Sequence, residues 1–127
     1  MKVVCLGLSH RTASVEIREK FAISEPELGS AFAQLSSLPG IAESVIVSTC
    51  NRVEIYAAAE DSSTAFASLR NFAAGRTQNT PAPCQQEPFY ALDGSHSINH
   101  LFRVVCGLDS MILGETEILG QIGRAHV

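Results

Sequence analysis

Tryptophan is absent from the 127 residues, tyrosine occurs only twice, and aromatic residues make up 6% of the chain. Basic side chains are few: nine Lys and Arg against thirteen Asp and Glu leave a net charge of −4. That balance argues against a free-standing domain that grips phosphate backbones, although it permits a brief encounter with one end of an RNA. No C-x-x-C pair occurs, and neither G-x-x-x-x-G-K-[ST] nor G-x-G-x-x-G is present, so the chain lacks a recognisable nucleotide cradle. Long apolar runs are missing too. Val3 to Leu8 is too short for a signal-peptide core and ends at Ser9-His10-Arg11, and nothing approaches the roughly 20 apolar residues of a membrane span.

What is present describes one ordinary globular domain, 46% hydrophobic and 17% charged. Its four cysteines stand at 5, 50, 84 and 106. Cys5 and Cys106 lie inside apolar periodic segments, as small buried hydrophobes do. We read four free thiols in a reducing cytoplasm.

The element order is legible from periodicity and punctuation. Residues 2–8 read as a strand buried on both faces, and residues 14–21 as a short helix. Ser24, Pro26 and Glu27 open a firmer helix with a capping box, its apolar face Leu28, Phe32, Leu35 and Leu38, closed by Pro39-Gly40. Two strands, 43–49 and 53–59, are joined by a connection so short that they must be antiparallel. Ser62 or Ser63 caps a helix bearing Phe66, Leu69 and Phe72, and Gly75 ends it. Residues 77–88 read as a mobile loop, 89–92 as a last strand, and 95–106 as a helix with the stripe Ile98, Leu101, Phe102 and Val105. A further helix starts near Glu115 and stops in mid-pattern at Val127, as expected of a fragment. The order β-α-β-β-α-β predicts an α+β fold, a split β-α-β antiparallel sheet with helices on one face, plus C-terminal helices. The expected division is a core at 1–93 and a helical extension at 94–127.

Polar residues interrupt the sheet pattern at Ser48-Thr49-Cys50-Asn51-Arg52. Arg52 near Cys50 favours thiolate over thiol, and the amides of Asn51 and Arg52 are candidates to face an oxyanion. An incidental cysteine in a hairpin turn that suits Asn51 is the plainer reading. The histidines are His10, His96, His100 and His126. His96 and His100 share a helix face, but no third ligand is apparent, so no metal site is expected. His100 adjoins an apolar stripe, where a structural role competes with that of general acid or partner to a nucleophile. Glu115, Glu117 and Gln121 follow Gly114 at a helix start, where acids complement the helix dipole or receive an ammonium group.

Three stretches together carry a resemblance: Gly7 to Ala13 (GLSHRTA), Ser48 to Tyr56 (STCNRVEIY) and His100 to Glu115 (HLFRVVCGLDSMILGE). In this order they resemble the N-terminal catalytic domain of glutamyl-tRNA reductase and span most of the chain. The resemblance implies a ferredoxin-like fold and the NADPH-dependent reduction of glutamyl-tRNA to glutamate-1-semialdehyde, the first committed step of tetrapyrrole synthesis by the five-carbon route. It implies NADPH-binding and dimerisation domains outside these residues and a homodimer in the full-length protein. It further implies hand-over of product to glutamate-1-semialdehyde aminotransferase, with no membrane partner.

Carried over position by position, Cys50 is similar to the family's nucleophile, which attacks the glutamyl ester to form a thioester. Arg52 matches the residue that pairs with the glutamate carboxylate, and His100 a histidine needed for full activity. Thr49, Asn51, Ser110, Glu115, Thr116, Glu117 and Gln121 match substrate-binding positions. Glu117 departs from the glutamine of many members and adds negative charge beside an anionic substrate. Cys106 replaces a small residue, which reads as core tolerance. A cysteine-dependent esterase or acyltransferase is the alternative reading. A non-catalytic RNA-binding module is less well served, because Tyr56 is the only aromatic on the two middle strands.

Overall fold

The computed structural model describes residues 1–76, 88–107 and Ile122. Four strands, β1 (Lys2–Ser9), β2 (Glu43–Ser48), β3 (Arg52–Ala59) and β4 (Tyr90–Asp93), form one sheet in the order β2-β3-β1-β4. Every neighbouring pair is antiparallel. β3 lies between β1 and β2, and β1 between β3 and β4, so two β-α-β units interleave as the element order predicted.

Helices α1 (Val15–Phe21), α2 (Leu28–Ser36) and α3 (Ser62–Gly75) complete the β-α-β units. Val4, Leu6, Ile46, Ile55 and Ala57 from the strands join Phe32, Leu35 and Leu69 from the helices in one core cluster. The capping residues behave largely as their chemistry requires. Ser14 accepts the Ile17 amide at 3.3 Å, and the Glu27 carboxylate accepts from the Ser24 amide and hydroxyl across a short 3-10 turn, Glu25–Glu27, that holds Pro26. Arg76 adds a 2.8 Å ion pair to the same carboxylate. These bonds, Arg76 foremost and Ser24 next, hold Glu27 down at about 2. The cap of α3 is Asp61 rather than Ser62 or Ser63, because the longer carboxylate reaches the Thr64 amide at 3.1 Å.

Helix α4 (Gly94–Val105) lies on the opposite side of the sheet. Its Val104 is buried with Cys5, Val47 and Tyr56, while Leu101 and Val105 pack at the margin of that cluster. Ser97 is fully buried, its Oγ 2.7 Å from the carbonyls of Val3 and Gly94, which ties the helix start to β1. The expected apolar stripe is therefore rotated. Ser97, Leu101 and Val104 turn inward, whereas Ile98 and Phe102 are 42% and 64% exposed. Cys106 caps the helix and is exposed, not core. Gly107 follows at φ 74°, the left-handed conformation that closes helices.

Candidate active site

The chain turns from β2 to β3 over Thr49, Cys50 and Asn51. Thr49 builds this turn. Its amide donates to the Arg52 carbonyl at 2.8 Å, and its Oγ1 accepts the amides of Asn51 at 3.1 Å and Arg52 at 3.2 Å. Those two amides are therefore turned into the hairpin, which corrects the expectation that they face an oxyanion. Their engagement leaves Cys50 exposed at the tip of a turn with a fixed backbone. The first motif stands beside it: the His10 amide donates to the Asn51 carbonyl at 2.8 Å. Ser9 and Thr12 fold that motif into its own tight turn, the Ser9 amide donating to Thr12 Oγ1 at 3.0 Å.

Strand β3 carries the charge inward. Arg52 begins the strand, and its side chain is 1% exposed. Two residues on, and so on the same face, is Glu54 at 0%. Arg52 Nη1 lies 3.4 Å from Glu54 Oε2. The same carboxylate accepts the Tyr56 hydroxyl at 3.0 Å and the Tyr90 hydroxyl in a shorter bond, and it also meets His100 Nε2. The Tyr90 ring stands edge-on to His100, with centroids 5.3 Å apart.

The register explains how two strands and a helix reach one carboxylate. Gly7 on β1 is paired with Glu54 on one side and Tyr90 on the other. Glu54 and Tyr90 are thus two strand spacings apart, about 10 Å, and they meet over the residue between them. A Cβ on Gly7 would stand 2.8 Å from Glu54 Cγ and 3.0 Å from the Tyr90 ring. Glycine is required at this point by close approach, the usual meaning of glycine inside a strand.

Burial raises Tyr56 and Tyr90 far above the usual phenol range, and the nearby Glu54 carboxylate adds to the effect. Both phenols therefore remain O–H donors at any pH at which the protein works. Cys5, paired with Tyr56 across β1 and β3, is also raised, first by burial and then by Glu54.

The site residues expected from sequence divide into three groups. Cys50, Asn51, Thr49 and Arg52 come together at the β2–β3 turn, and His100 reaches Arg52 through Glu54. His96 is exposed on α4, and among the described residues no group of three His, Cys, Asp or Glu is arranged to hold a metal. Ser110, Glu115, Thr116, Glu117 and Gln121 lie outside the described residues, as do Cys84 and His126. Sequence reasoning passed over Glu54, Tyr56 and Tyr90 as site residues. Two signals pointed to them: a carboxylate inside Val53-Glu54-Ile55-Tyr56, and Gly7 within a buried strand.

The family described as "Glutamyl-tRNAGlu reductase, N-terminal domain" matches residues 6–127. The chain is 45% identical over 126 residues to the glutamyl-tRNA reductase of Geobacter sulfurreducens, covering 99% of this chain and 29% of that protein. It is 46% identical over 130 residues to that of Geobacillus kaustophilus, covering all of this chain and 28% of that protein. Among solved structures, glutamyl-tRNA reductase from Methanopyrus kandleri matches with a TM-score of 0.65 and 28% identity, over 96% of this chain and 26% of that one. The chain therefore spans less than a third of the length of these relatives. With Gly7, Glu54 and His100, one residue from each of three motifs of one family, drawn together on one side of one sheet, and the family match running almost end to end, the chain belongs to the glutamyl-tRNA reductase N-terminal domain family.

Proposed function

We propose that this chain is the catalytic domain of an NADPH-dependent glutamyl-tRNA reductase, with Cys50 as its nucleophile. The observation that carries the reading is the placement of Cys50. It is an exposed thiol on a backbone fixed by Thr49, two residues before a buried guanidinium. In this reading Cys50 Sγ attacks the ester carbonyl that joins glutamate to the terminal ribose of the tRNA. The C–S bond forms, the C–O bond breaks, and the thiol proton ends on the departing ribose oxygen. The product is a thioester and free tRNA, so one difficult acyl reduction becomes two easier steps.

Arg52 recognises the glutamate side-chain carboxylate through charge-assisted hydrogen bonds. Its burial means that this contact is made inside a covered site, with Glu54 as standing counter-ion. Thr49 and Asn51 shape the turn, and Ser110, Glu115, Thr116, Glu117 and Gln121 complete substrate binding in the helical extension after residue 93. His100 serves the proton transfers.

The described residues do not fit NADPH. No two neighbouring strands are parallel, and the positive-φ glycines Gly40, Gly94 and Gly107 of the described residues stand singly. Hydride reduction of the thioester to glutamate-1-semialdehyde accordingly falls to another part of a full-length homodimer, from which the product passes to glutamate-1-semialdehyde aminotransferase. No described helix is long and apolar enough to cross a membrane, and we assign the enzyme to the cytoplasm.

The esterase reading has one point in its favour, because the sequence carries a candidate nucleophile and neither glycine-rich cofactor motif. Incubating these 127 residues and, separately, the full-length enzyme with glutamyl-tRNA and NADPH separates the two. Our reading expects slow, Cys50-dependent release of glutamate without cofactor oxidation, and aldehyde formation by the full-length enzyme. Release of glutamate by the full-length enzyme in the presence of NADPH, with no aldehyde, would support the esterase instead.

A further inference from the structure

Glu54 is the only acidic side chain in the buried class among the described residues. A buried carboxylate is tolerated only when its oxygens are fully served by donors. Here the donors can be assigned one by one. Arg52 has only N–H groups to offer. Tyr56 and Tyr90 are held in their O–H form, and both hydroxyls point at the carboxylate. Three of the four neighbours thus donate, and the carboxylate acts as acceptor. The fourth neighbour is His100 Nε2, on Oε2. A ring nitrogen presenting its lone pair there would set acceptor against acceptor, so Nε2 must carry the hydrogen. In a neutral imidazole the other nitrogen, Nδ1, then holds the lone pair.

We propose that Glu54 is a positioning residue that locks His100 in the Nε2–H tautomer, so that any proton His100 exchanges during acyl transfer passes through Nδ1. Gly7 is part of the same device, because a side chain there would collide with Glu54 and with the Tyr90 ring. The lock joins all three sequence motifs: Gly7 makes the space, Glu54 supplies the acceptor, and His100 is the group held. Its bearing on acyl transfer rests on the function proposed above; the tautomer itself does not.

The tautomer is read directly from long-range proton–nitrogen correlations of the protein labelled with nitrogen-15 histidine, at a pH where the ring is neutral. The His100 signals are assigned by their loss in His100→Asn. Wild type should show the Nε2–H pattern. Tyr90→Phe, which removes one donor and leaves the carboxylate, should keep it. Glu54→Met, which removes the acceptor, should release the ring and let the Nδ1–H pattern appear. An Nδ1–H pattern in the wild type would overturn the proposal, as would an unchanged Nε2–H pattern in Glu54→Met. The wild-type spectrum decides the point even if the Glu54 variant does not fold.

A second readout is single-turnover acylation of Cys50 by glutamyl-tRNA in the full-length enzyme. Glu54→Met and His100→Asn should each slow it by about 10²-fold, the lower end for a positioned acid–base group. The double variant should be no slower than His100→Asn alone. Multiplying effects would show that Glu54 does not act through His100 and would overturn the positioning role. Failure of the wild type to acylate would sink the proposed function, while the spectra would still decide the tautomer.

Discussion

The two faces of this sheet are built from the same four strands and differ in almost everything else. Against α1–α3 the strands present Val4, Leu6, Ile46, Ile55 and Ala57, which join one apolar cluster with the helices. Against α4 the same strands present Cys5 beside Arg52, Glu54, Tyr56 and Tyr90, and the hydrogen bonds of Arg52, Tyr56 and Tyr90 converge on the Glu54 carboxylate. The first face needs only volume and hydrophobicity, at about 25 cal/mol for each Å² removed from water. The second needs geometry, since a buried polar network is stabilising only when every member finds its partner. A single sheet can therefore separate the burden of folding from that of chemistry by assigning them to opposite faces.

Substitutions on the two faces should separate activity from stability. A large effect on substrate selection is expected from Arg52→Lys. Losing charge-assisted hydrogen bonds of about 1.5–3 kcal/mol should lower kcat/KM toward glutamyl-tRNA by about 10- to 100-fold. Equal rates of the wild type with glutaminyl- and glutamyl-charged tRNA would contradict the specificity role. On the other face, Leu69→Ala should cost about 2–5 kcal/mol in denaturant unfolding, because Leu69 is fully buried in the apolar cluster. Activity per folded molecule should be unchanged; a fall in kcat without a fall in stability would break the separation of faces.

The alkaline limb of stability tests the polar face alone. Cys5, Tyr56 and Tyr90 all have folded pKa values raised above their ordinary ones of 9.0, 10.0 and 10.0. The native state therefore keeps protons that the unfolded chain releases, and stability falls as pH rises. The decline should begin near pH 9 with Cys5 and steepen above 10 as the tyrosines join. Each group contributes about 1.4 kcal/mol per pH unit between its unfolded and folded values. Tyr56→Phe should make the limb shallower, which chemical denaturation across this pH range would measure. The smallest effect belongs to Cys106→Ala. That thiol is exposed beyond the last turn of α4, and the change should stay within about 0.5 kcal/mol.

The same contrast explains what could be read in advance. The split β-α-β order was legible because alternation in the strands and capping at Ser24 and Glu27 are local signals. Cys50 and Arg52 stood out because they interrupt an apolar pattern. Glu54 did not, since a carboxylate at alternate positions of a strand looks like an outward-facing residue. It becomes buried only when α4 covers that face, a long-range event between residues 54 and 100. The inward rotation of α4 was hidden for a similar reason. Ser97 and His100 face the sheet to make polar contacts, displacing the stripe expected from Ile98 and Phe102. The amides of Asn51 and Arg52 looked available until the Thr49 hydroxyl was seen to accept both.

The most direct test of the account is whether Cys50 becomes acylated. The full-length enzyme, mixed with glutamyl-tRNA in the absence of NADPH and quenched in acid, is analysed by intact-mass spectrometry and then by peptide mapping. The account predicts one added glutamyl group per chain, located on Cys50, labile to hydroxylamine and missing from Cys50→Ser. It also predicts release of uncharged tRNA in equal amount. An adduct on another residue, or aldehyde formation at an undiminished rate by Cys50→Ser once NADPH is supplied, would contradict the account.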